Sequence, residues 1–214
     1  MEHTVARAVV CGRMRAFLFD IDGTLVDSSV GIERVWRRVA HEFGVDEAEI
    51  LQNCHGRRDV DVAEDFFKPE VIEAVLARVN ALDTECVNGA VPVRGAQQLL
   101  ATLDDGQWAA VTSGPRPLMA ARLRAAGLPV PPVLITADDV HFGKPHPEGF
   151  LLAAKALGVP PTSCVVVEDS PAGVAAGKAA GALVVALTTT HSADVLTAAD
   201  IVVSDLSELP GVIP

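Results

Sequence analysis

Two aspartates lie two residues apart directly after a short apolar segment near the start of the chain. Asp20 and Asp22 follow Ala16-Phe17-Leu18-Phe19, a run that predicts a buried strand. Because residues i and i+2 of an extended backbone project to the same side, both carboxylates can face one reacting centre. Gly23 permits a sharp turn there, and we expect its N–H and that of Thr24 to be free to bind an anion. Isolated aspartates of this spacing are more often turn or cap residues, whereas this combination is typical of a phosphoryl-transfer site.

Three further segments carry side chains that such a site could use. In chain order they are Thr112-Ser113-Gly114 after the apolar run Trp108–Val111, Lys144 within Gly143-Lys144-Pro145-His146-Pro147, and Glu168-Asp169 after the apolar run Cys164–Val167. Each segment alone has an ordinary interpretation as a surface charge or a loop. Together they offer hydroxyl and N–H donors, an ammonium group in a loop stiffened by two prolines, and a pair of acids that can bind a metal ion.

The four segments, in this order, resemble the motifs of the haloacid-dehalogenase (HAD) superfamily, and the match extends from Ala16 to Leu209. The resemblance implies that Asp20 is the nucleophile that becomes phosphorylated and that Asp22 acts as acid and base. A dehalogenase has no need for the second acid. The presence of Asp22 therefore favours phosphoryl transfer.

The same resemblance implies roles for the other polar residues. Thr112 and Lys144 complete the catalytic set, and the residues expected to bind phosphate are Gly23, Thr24, Ser113 and Gly114. Mg2+ is the expected cofactor, because it is the usual partner of phosphates and prefers oxygen ligands. The implied ligands are Asp20, the main-chain carbonyl of Asp22, and Asp169, with Glu168 either a further ligand or a group that orients the others.

After Ser113, the sequence alternates between apolar and helical segments, which predicts an α/β fold. The predicted strands are 133–136, 164–167, 183–187 and 201–203, and the helices between them are 118–126, 148–157 and 172–180. Such a series closes as a parallel sheet with helices on both faces, and its active site lies at the carboxyl ends of the strands. We therefore expect a Rossmann-like, HAD-like parallel sheet core over residues 14–29 and 92–214.

Residues 30–91 have a different pattern, with amphipathic helices and no strand. The candidate helices are 31–43, 60–67 and 70–82. This position resembles the inserted α-helical cap domain of one HAD subgroup, which closes over the site and excludes water. We expect hinges near Ser28-Ser29 and over residues 91–95, and we assign no function to an N-terminal extension over residues 1–13.

One stretch of the expected cap, Cys54-His55-Gly56-Arg57-Arg58-Asp59, corresponds in position to the cap loop that enters the active site in this subgroup. On that interpretation His55, Arg57 and Arg58 bind substrate hydroxyls or phosphate. The alternative is that the two arginines are solvated charges at the start of a helix that Asp59 caps.

Composition excludes several other classes of protein. The formal charge of −11 argues against nonspecific nucleic-acid binding, which depends on lysine and arginine. No apolar run approaches the roughly 18 residues of a membrane helix, and the start of the chain does not resemble a signal peptide. The four cysteines lack C-x-x-C spacing, which argues against a zinc site or a redox pair. We expect a cytoplasmic monomer whose partner is a small phosphorylated metabolite.

The resemblance also narrows the activity. The stretches HGRR, VTSG, ITADDVHFGKPHPEGF and VVVEDSPAGVAAGKAAG are similar to those of polyol- and sugar-phosphate phosphatases. The implied function is Mg2+-dependent hydrolysis of a small sugar- or polyol-phosphate monoester through an aspartyl-phosphate. The alternatives are a β-phosphoglucomutase-like phosphotransferase, a phosphoglycolate phosphatase and a non-catalytic HAD-like binding domain.

Overall fold

The computed structural model describes residues 14–212 of the 214-residue chain, so the expected extension over residues 1–13 lies outside the described residues. The strands are β1 (Ala16–Phe19), β2 (Val26–Asp27), β3 (Val91–Pro92), β4 (Trp108–Val111), β5 (Leu134–Ile135), β6 (Cys164–Glu168), β7 (Leu183–Leu187) and β8 (Ile201–Val203). Six of them form a parallel sheet in the order β5-β4-β1-β6-β7-β8. The short strands β2 and β3 pair with each other in antiparallel fashion.

Four helices lie between β2 and β3, and we refer to residues 29–86 as the helical insertion. They are α1 (Ser29–Phe43), α2 (Glu47–Leu51), α3 (Asp59–Phe66) and α4 (Ile72–Cys86). Their apolar faces pack together into a buried cluster of their own, which includes Trp36, Val39, Ile50, Val62 and Val75. The chain enters and leaves this insertion through the β2–β3 pair.

The remaining helices cover both faces of the sheet. They are α5 (Ala96–Leu100), α6 (Arg116–Ala125), α7 (Glu148–Ala156), α8 (Pro171–Ala179) and α9 (Leu209–Val212). Helices α5, α6 and α9 pack on one face, which Phe19 and Val167 also line, whereas α7 and α8 pack on the face of Leu18 and Val166. The strands buried on both sides are apolar up to their carboxyl ends, where β6 closes with Glu168, and this burial fixes where those ends lie. The polar segments that follow β1, β4 and β6 therefore meet at one edge of the sheet.

The predicted α/β fold with a parallel sheet is confirmed, but the sequence patterns missed the short helices α2, α5 and α9 and the short strands β2 and β3. Helix α2 has only five residues, too few for a helical period, and its Asp46 cap accepts a hydrogen bond from the Ala48 N–H at 2.8 Å. The β2–β3 pair lies where we expected hinges and joins Val26 to Pro92, a contact that no local pattern reveals. Among residues 14–212, no helix has the length and apolar character needed to cross a bilayer.

Candidate active site

Lys144 connects the carboxyl ends of β1 and β6. Its Nζ lies 2.5 Å from Oδ1 of Asp20, 2.5 Å from Oε1 of Glu168 and 3.3 Å from the main-chain oxygen of Val111. The three charged side chains are all buried. An ammonium group has three protons to donate, and these contacts use all of them. The lysine is therefore held at a fixed position between the expected nucleophile and Glu168.

Glu168 is surrounded by hydrogen-bond donors. Its Oε2 accepts from the N–H of Asp169 at 2.9 Å, from the N–H of Ser170 at 3.2 Å and from the Ser170 hydroxyl at 3.0 Å. A Cβ at Gly173 would lie 1.8 Å from the Glu168 carboxylate, so the helix start that follows β6 can approach it only as glycine. These contacts support the interpretation of Glu168 as a group that orients Lys144.

The carboxylates of Asp20, Glu168 and Asp169 form a compact acidic cluster. One oxygen from each lies within 4.8 Å of the others. Burial raises the pKa of Asp20 to about 8, and Lys144 opposes this shift; burial likewise raises the pKa of Asp169 well above its usual range. Because three acids share one ammonium group, the cluster lacks positive charge. A hard divalent cation prefers negatively charged oxygen ligands, so these three carboxylates fit the expected Mg2+.

The turn formed by Gly23 and Thr24, directly after Asp22, packs against the carboxylate of Asp169. Gly23 has a φ of +84°, and a Cβ there would lie 2.1 Å from Oδ2 of Asp169. Thr24 is fully buried, and its hydroxyl donates to Oδ1 of Asp169 at 3.2 Å. The Gly23 N–H donates to the Val26 carbonyl at 2.7 Å, and the Thr24 N–H donates to the Ile21 carbonyl at 3.3 Å. The expectation that these two N–H groups are free for an anion is wrong, because the tight turn closes on its own carbonyls.

Thr112, Ser113 and Gly114 follow β4 and line one cavity together with Asp20. Thr112 is buried, and its hydroxyl oxygen accepts from the Gly114 N–H at 3.2 Å. The Ser113 hydroxyl donates to the carbonyl of Gly56, in the helical insertion, at 2.8 Å. The segment expected to bind phosphate therefore also holds the insertion against the core.

Asp22 is held by two donors. The Ser28 hydroxyl donates to its Oδ1 at 2.6 Å, and Nη1 of Arg122, on α6, donates to its Oδ2 at 2.8 Å. The other terminal nitrogen of Arg122 lies 2.5 Å from Oδ1 of Asp83, on α4 of the insertion. Arg122 is only 4% exposed and Asp83 only 6%. One buried arginine thus links the expected acid/base residue to the insertion.

Our sequence reasoning missed Arg122 and Asp83, although their positions contain a signal. Arg122 is three residues after Met119 and directly before Leu123, both buried, and Asp83 continues the buried positions Val75 and Val79 of α4. A charged residue within an apolar helical stripe predicts a buried ion pair. The pattern alone does not identify the partner.

The loop before α3 docks on the core through Gly56. This residue has a φ of +75°, and a Cβ there would lie 2.1 Å from the Ser170 hydroxyl oxygen. The neighbouring His55 places its ring edge-on against His191, with 5.9 Å between ring centres, and its Nε2 lies 3.9 Å from the Glu33 carboxylate. Burial lowers the pKa of His55. His55 thus contacts the loop that follows β7.

The two arginines expected to bind substrate have carboxylate partners in α3. Arg57 lines the cavity but donates to Asp65 at 2.7 Å. Arg58 makes two hydrogen bonds to Asp61, at 2.8 and 2.6 Å, and one to the His141 carbonyl at 3.1 Å. The two arginines do lie at the start of a helix, but the expectation that Asp59 caps it is wrong, because Arg58 occupies the cap position and Asp59 is the first helical residue.

The cavity between the core and the insertion has a volume of about 40 Å³. Its insertion side is formed by Trp36, Arg57, Asp59 and Asp83, and its core side by Asp20, Asp22, Thr112 and Arg122. A space of this size holds a few water molecules, because one water needs roughly 10–15 Å³ by this measure. A sugar-sized ligand can enter only if the insertion moves.

A family model described as haloacid dehalogenase-like hydrolase matches residues 14–181, most of the chain. The chain belongs to the haloacid dehalogenase-like hydrolases. Its membership confirms the resemblance drawn from the four segments, and a solved structure has the same fold. The crystal structure of a hydrolase from Pseudomonas syringae has a TM-score of 0.84 at 26% identity, covering 92% of this chain and 97% of that one.

Three curated relatives are similar over nearly their whole length. Hexitol phosphatase A of Escherichia coli (strain K12) is 40% identical over 92% of this chain and 94% of its own. Validoxylamine A 7'-phosphate phosphatase of Streptomyces hygroscopicus subsp. limoneus is 40% identical over 90% and 94%. 2-Deoxyglucose-6-phosphate phosphatase 1 of Saccharomyces cerevisiae is 36% identical over 90% and 88%.

Proposed function

We propose that the protein is a phosphatase that hydrolyses a small sugar- or polyol-phosphate monoester. The observation that carries this proposal is the buried Lys144, which holds Asp20 at the edge of the sheet where Asp169 and Thr112 also lie. All three relatives are named as phosphatases, and the names hexitol phosphatase and 2-deoxyglucose-6-phosphate phosphatase support the substrate class. The proposal includes a cytoplasmic monomer without a nucleic-acid partner, in keeping with the net charge of −11.

Asp20 and Asp22 divide the reaction into two steps. The Asp20 carboxylate attacks the phosphorus, the bond from phosphorus to the sugar oxygen breaks, and Asp22 donates a proton to that oxygen as the alcohol leaves. Asp22 then takes a proton from the water that attacks the aspartyl-phosphate, which releases inorganic phosphate and restores Asp20. Lys144 stabilises the charge on the phosphoryl oxygens through its positive charge. Thr112, Ser113 and Gly114 line the same cavity and bind the phosphate once their donors leave their present partners, Met119, Gly56 and the Thr112 hydroxyl.

The acidic cluster needs a cation beside a phosphate. Asp20, the main-chain carbonyl of Asp22, and Asp169 would hold Mg2+, which supplies the positive charge that lets two carboxylates and a phosphate share one pocket. Thr24 and Gly23 keep Asp169 in place, and Glu168 keeps Lys144 in place. The chain thus provides both the ligands and the groups that orient them.

Residues 30–91 act as a cap in this proposal. The hydrogen bond from Ser113 to Gly56 and the small cavity describe a closed arrangement, so the cap opens for the substrate and closes over it again. Closure excludes all water except the molecule needed for the second step. His55 and Arg57 move with this cap, and both remain candidates for contact with the substrate.

Release of inorganic phosphate tests the proposal. Purified protein should hydrolyse sorbitol 6-phosphate, 2-deoxyglucose 6-phosphate or glycerol phosphate in the presence of Mg2+ and lose this activity in EDTA. No release from any member of the panel would refute the phosphatase. Conversion of β-glucose 1-phosphate to glucose 6-phosphate without phosphate release would instead identify a mutase.

A further inference from the structure

The leaving group of the substrate must face the helical insertion. In phosphoryl transfer the attacking and leaving oxygens lie roughly in line on opposite sides of the phosphorus. With Asp20 attacking from the end of β1, the leaving oxygen points away from the sheet, toward Asp22 and the insertion wall of the cavity. This inference rests on the proposed function, and it concerns which leaving groups that wall accepts.

Most of the charged groups that line the cavity near this wall are paired. Arg122 is shared between Asp22 and Asp83, at 2.8 and 2.5 Å, so these three side chains satisfy one another. Arg57 is paired with Asp65, at 2.7 Å, on the outer side of α3. Neither arginine is free to bind an anionic leaving group without the loss of an existing ion pair.

Asp59 is different, because its carboxylate has no hydrogen-bond partner among residues 14–212. It is the first residue of α3 and lies on the wall of the cavity, on the same side as Asp83. Burial raises the pKa of Asp59 to about 7; the charge of Asp83 adds to the shift, and Arg122 opposes it. A carboxyl group in this state can accept a hydrogen bond from a hydroxyl or donate one. Asp59 is half-buried and solvent reaches its carboxylate oxygens, so a hydroxyl group that enters the cavity can replace water as their hydrogen-bond partner.

We propose that Asp59 binds a hydroxyl group of the leaving alcohol and selects against leaving groups that carry a carboxylate. Two carboxylates that face each other in a closed, water-poor space repel, whereas a hydroxyl supplies the proton that a carboxylate accepts. Among the described residues on the insertion side of the cavity, Asp59 is the acidic group without an ion-pair partner, because Asp83 is paired with Arg122 and Arg57 with Asp65. The site therefore favours neutral polyols and sugars over phosphorylated acids of the same length.

A matched pair of substrates tests this selection. Sorbitol 6-phosphate and 6-phosphogluconate have the same carbon chain and stereochemistry and differ only at C1, where one has a hydroxymethyl group and the other a carboxylate. The wild type should prefer sorbitol 6-phosphate in kcat/KM at saturating Mg2+. In Asp59→Asn this preference should fall by about tenfold or more, mainly through a gain on 6-phosphogluconate.

Two further variants make the test specific. Glu64→Gln removes one negative charge from the exposed side of the same helix and should keep the wild-type preference within about twofold. Asp59→Ala removes the hydrogen bond as well as the charge and should lower kcat/KM for sorbitol 6-phosphate by about tenfold. If Asp59→Asn does not fold, Asp59→Ala can replace it in the test. Its preference for sorbitol 6-phosphate over 6-phosphogluconate should fall as well.

The outcomes separate the two proposals. If the wild type hydrolyses sorbitol 6-phosphate but does not discriminate against 6-phosphogluconate, the selection is refuted and the phosphatase stands. An unchanged preference in folded Asp59→Asn and Asp59→Ala, or equal losses on both substrates, refutes the role of Asp59. Failure of the wild type on all sugar and polyol phosphates refutes the phosphatase and this inference with it.

Discussion

Arg122 donates to Asp22 at 2.8 Å while its other terminal nitrogen lies 2.5 Å from Asp83. The first contact is within the core, and the second crosses to the helical insertion. Removal of one member of a buried charge cluster leaves the others uncompensated, which is costly in a closed interface. The position of the insertion and the position of the acid/base residue are therefore coupled through one side chain.

Arg122→Met should reduce both activity and stability. Asp22 and Asp83 would face each other without a cation, so we expect kcat for sorbitol 6-phosphate to fall by about tenfold or more and the protein to lose about 3 kcal/mol of stability. Steady-state kinetics and denaturant unfolding measure the two effects. Arg124→Met is the control, because Arg124 is exposed on the same helix. Wild-type kcat and stability in Arg122→Met would contradict the coupling.

Gly56→Ala should prevent the insertion from closing. A Cβ at this position would lie 2.1 Å from the Ser170 hydroxyl oxygen and would also require an unfavourable positive φ. We expect kcat/KM for sugar phosphates to fall by about tenfold or more. Gly44→Ala separates the two causes, because Gly44 has a similar φ of +72° but no neighbour within 4 Å of its Cβ position. Equal losses in both variants would attribute the effect to backbone strain and contradict the closing contact.

Thermal stability of the metal-free protein should fall as the pH rises from about 6 to about 8. Burial raises the pKa of Asp20 in the folded state to about 8, from an ordinary value of 3.8, so the folded state keeps a proton that the unfolded state has lost over this interval. Folding is then linked to proton uptake and weakens as protons become scarce. We expect Tm in EDTA to drop by about 3 °C or more, and Mg2+ to restore it at the higher pH.

The control for this pH dependence is Asp20→Asn, which has no proton to lose at that position and should show a smaller drop in Tm. Thermal denaturation of both proteins at the two pH values, with EDTA and with Mg2+, makes the comparison. A Tm that rises from about pH 6 to about pH 8 in EDTA, or no effect of Mg2+, would contradict the assignment of this cluster as a cation site.

The sheet and the residues at its edge were predictable because buried parallel strands are continuous apolar runs. Cys164–Glu168 and Ala16–Phe19 stand out in the sequence for this reason, and the polar residue that follows each run must lie at the carboxyl edge. The sequence alone therefore predicts that Asp20 and Asp169 lie close together. The close contact between Gly23 and Asp169 could not be predicted from the sequence, because it depends on tertiary geometry.

The insertion was less predictable because its charges act across an interface. Arg58 looked free in the sequence, but it pairs with Asp61 three residues later, an ordinary contact on a helix surface. Arg122 and Asp83 are 39 residues apart in the chain, and they form a buried ion pair across the interface. The orientation of the insertion on the core decides these partners, and no local pattern encodes it.

Trapping of a phosphorylated enzyme tests the central claim, that Asp20 carries the phosphoryl group, most directly. Acid quenching during turnover of sorbitol 6-phosphate with Mg2+, followed by mass spectrometry of the digested protein, should find one added phosphoryl group on the peptide that contains Asp20. Asp20→Asn should lack this modification and lose at least about a thousandfold in kcat, because the nucleophile acts as part of a catalytic unit. Phosphate release with the phosphoryl group on another residue, or substantial turnover by Asp20→Asn, would contradict the account.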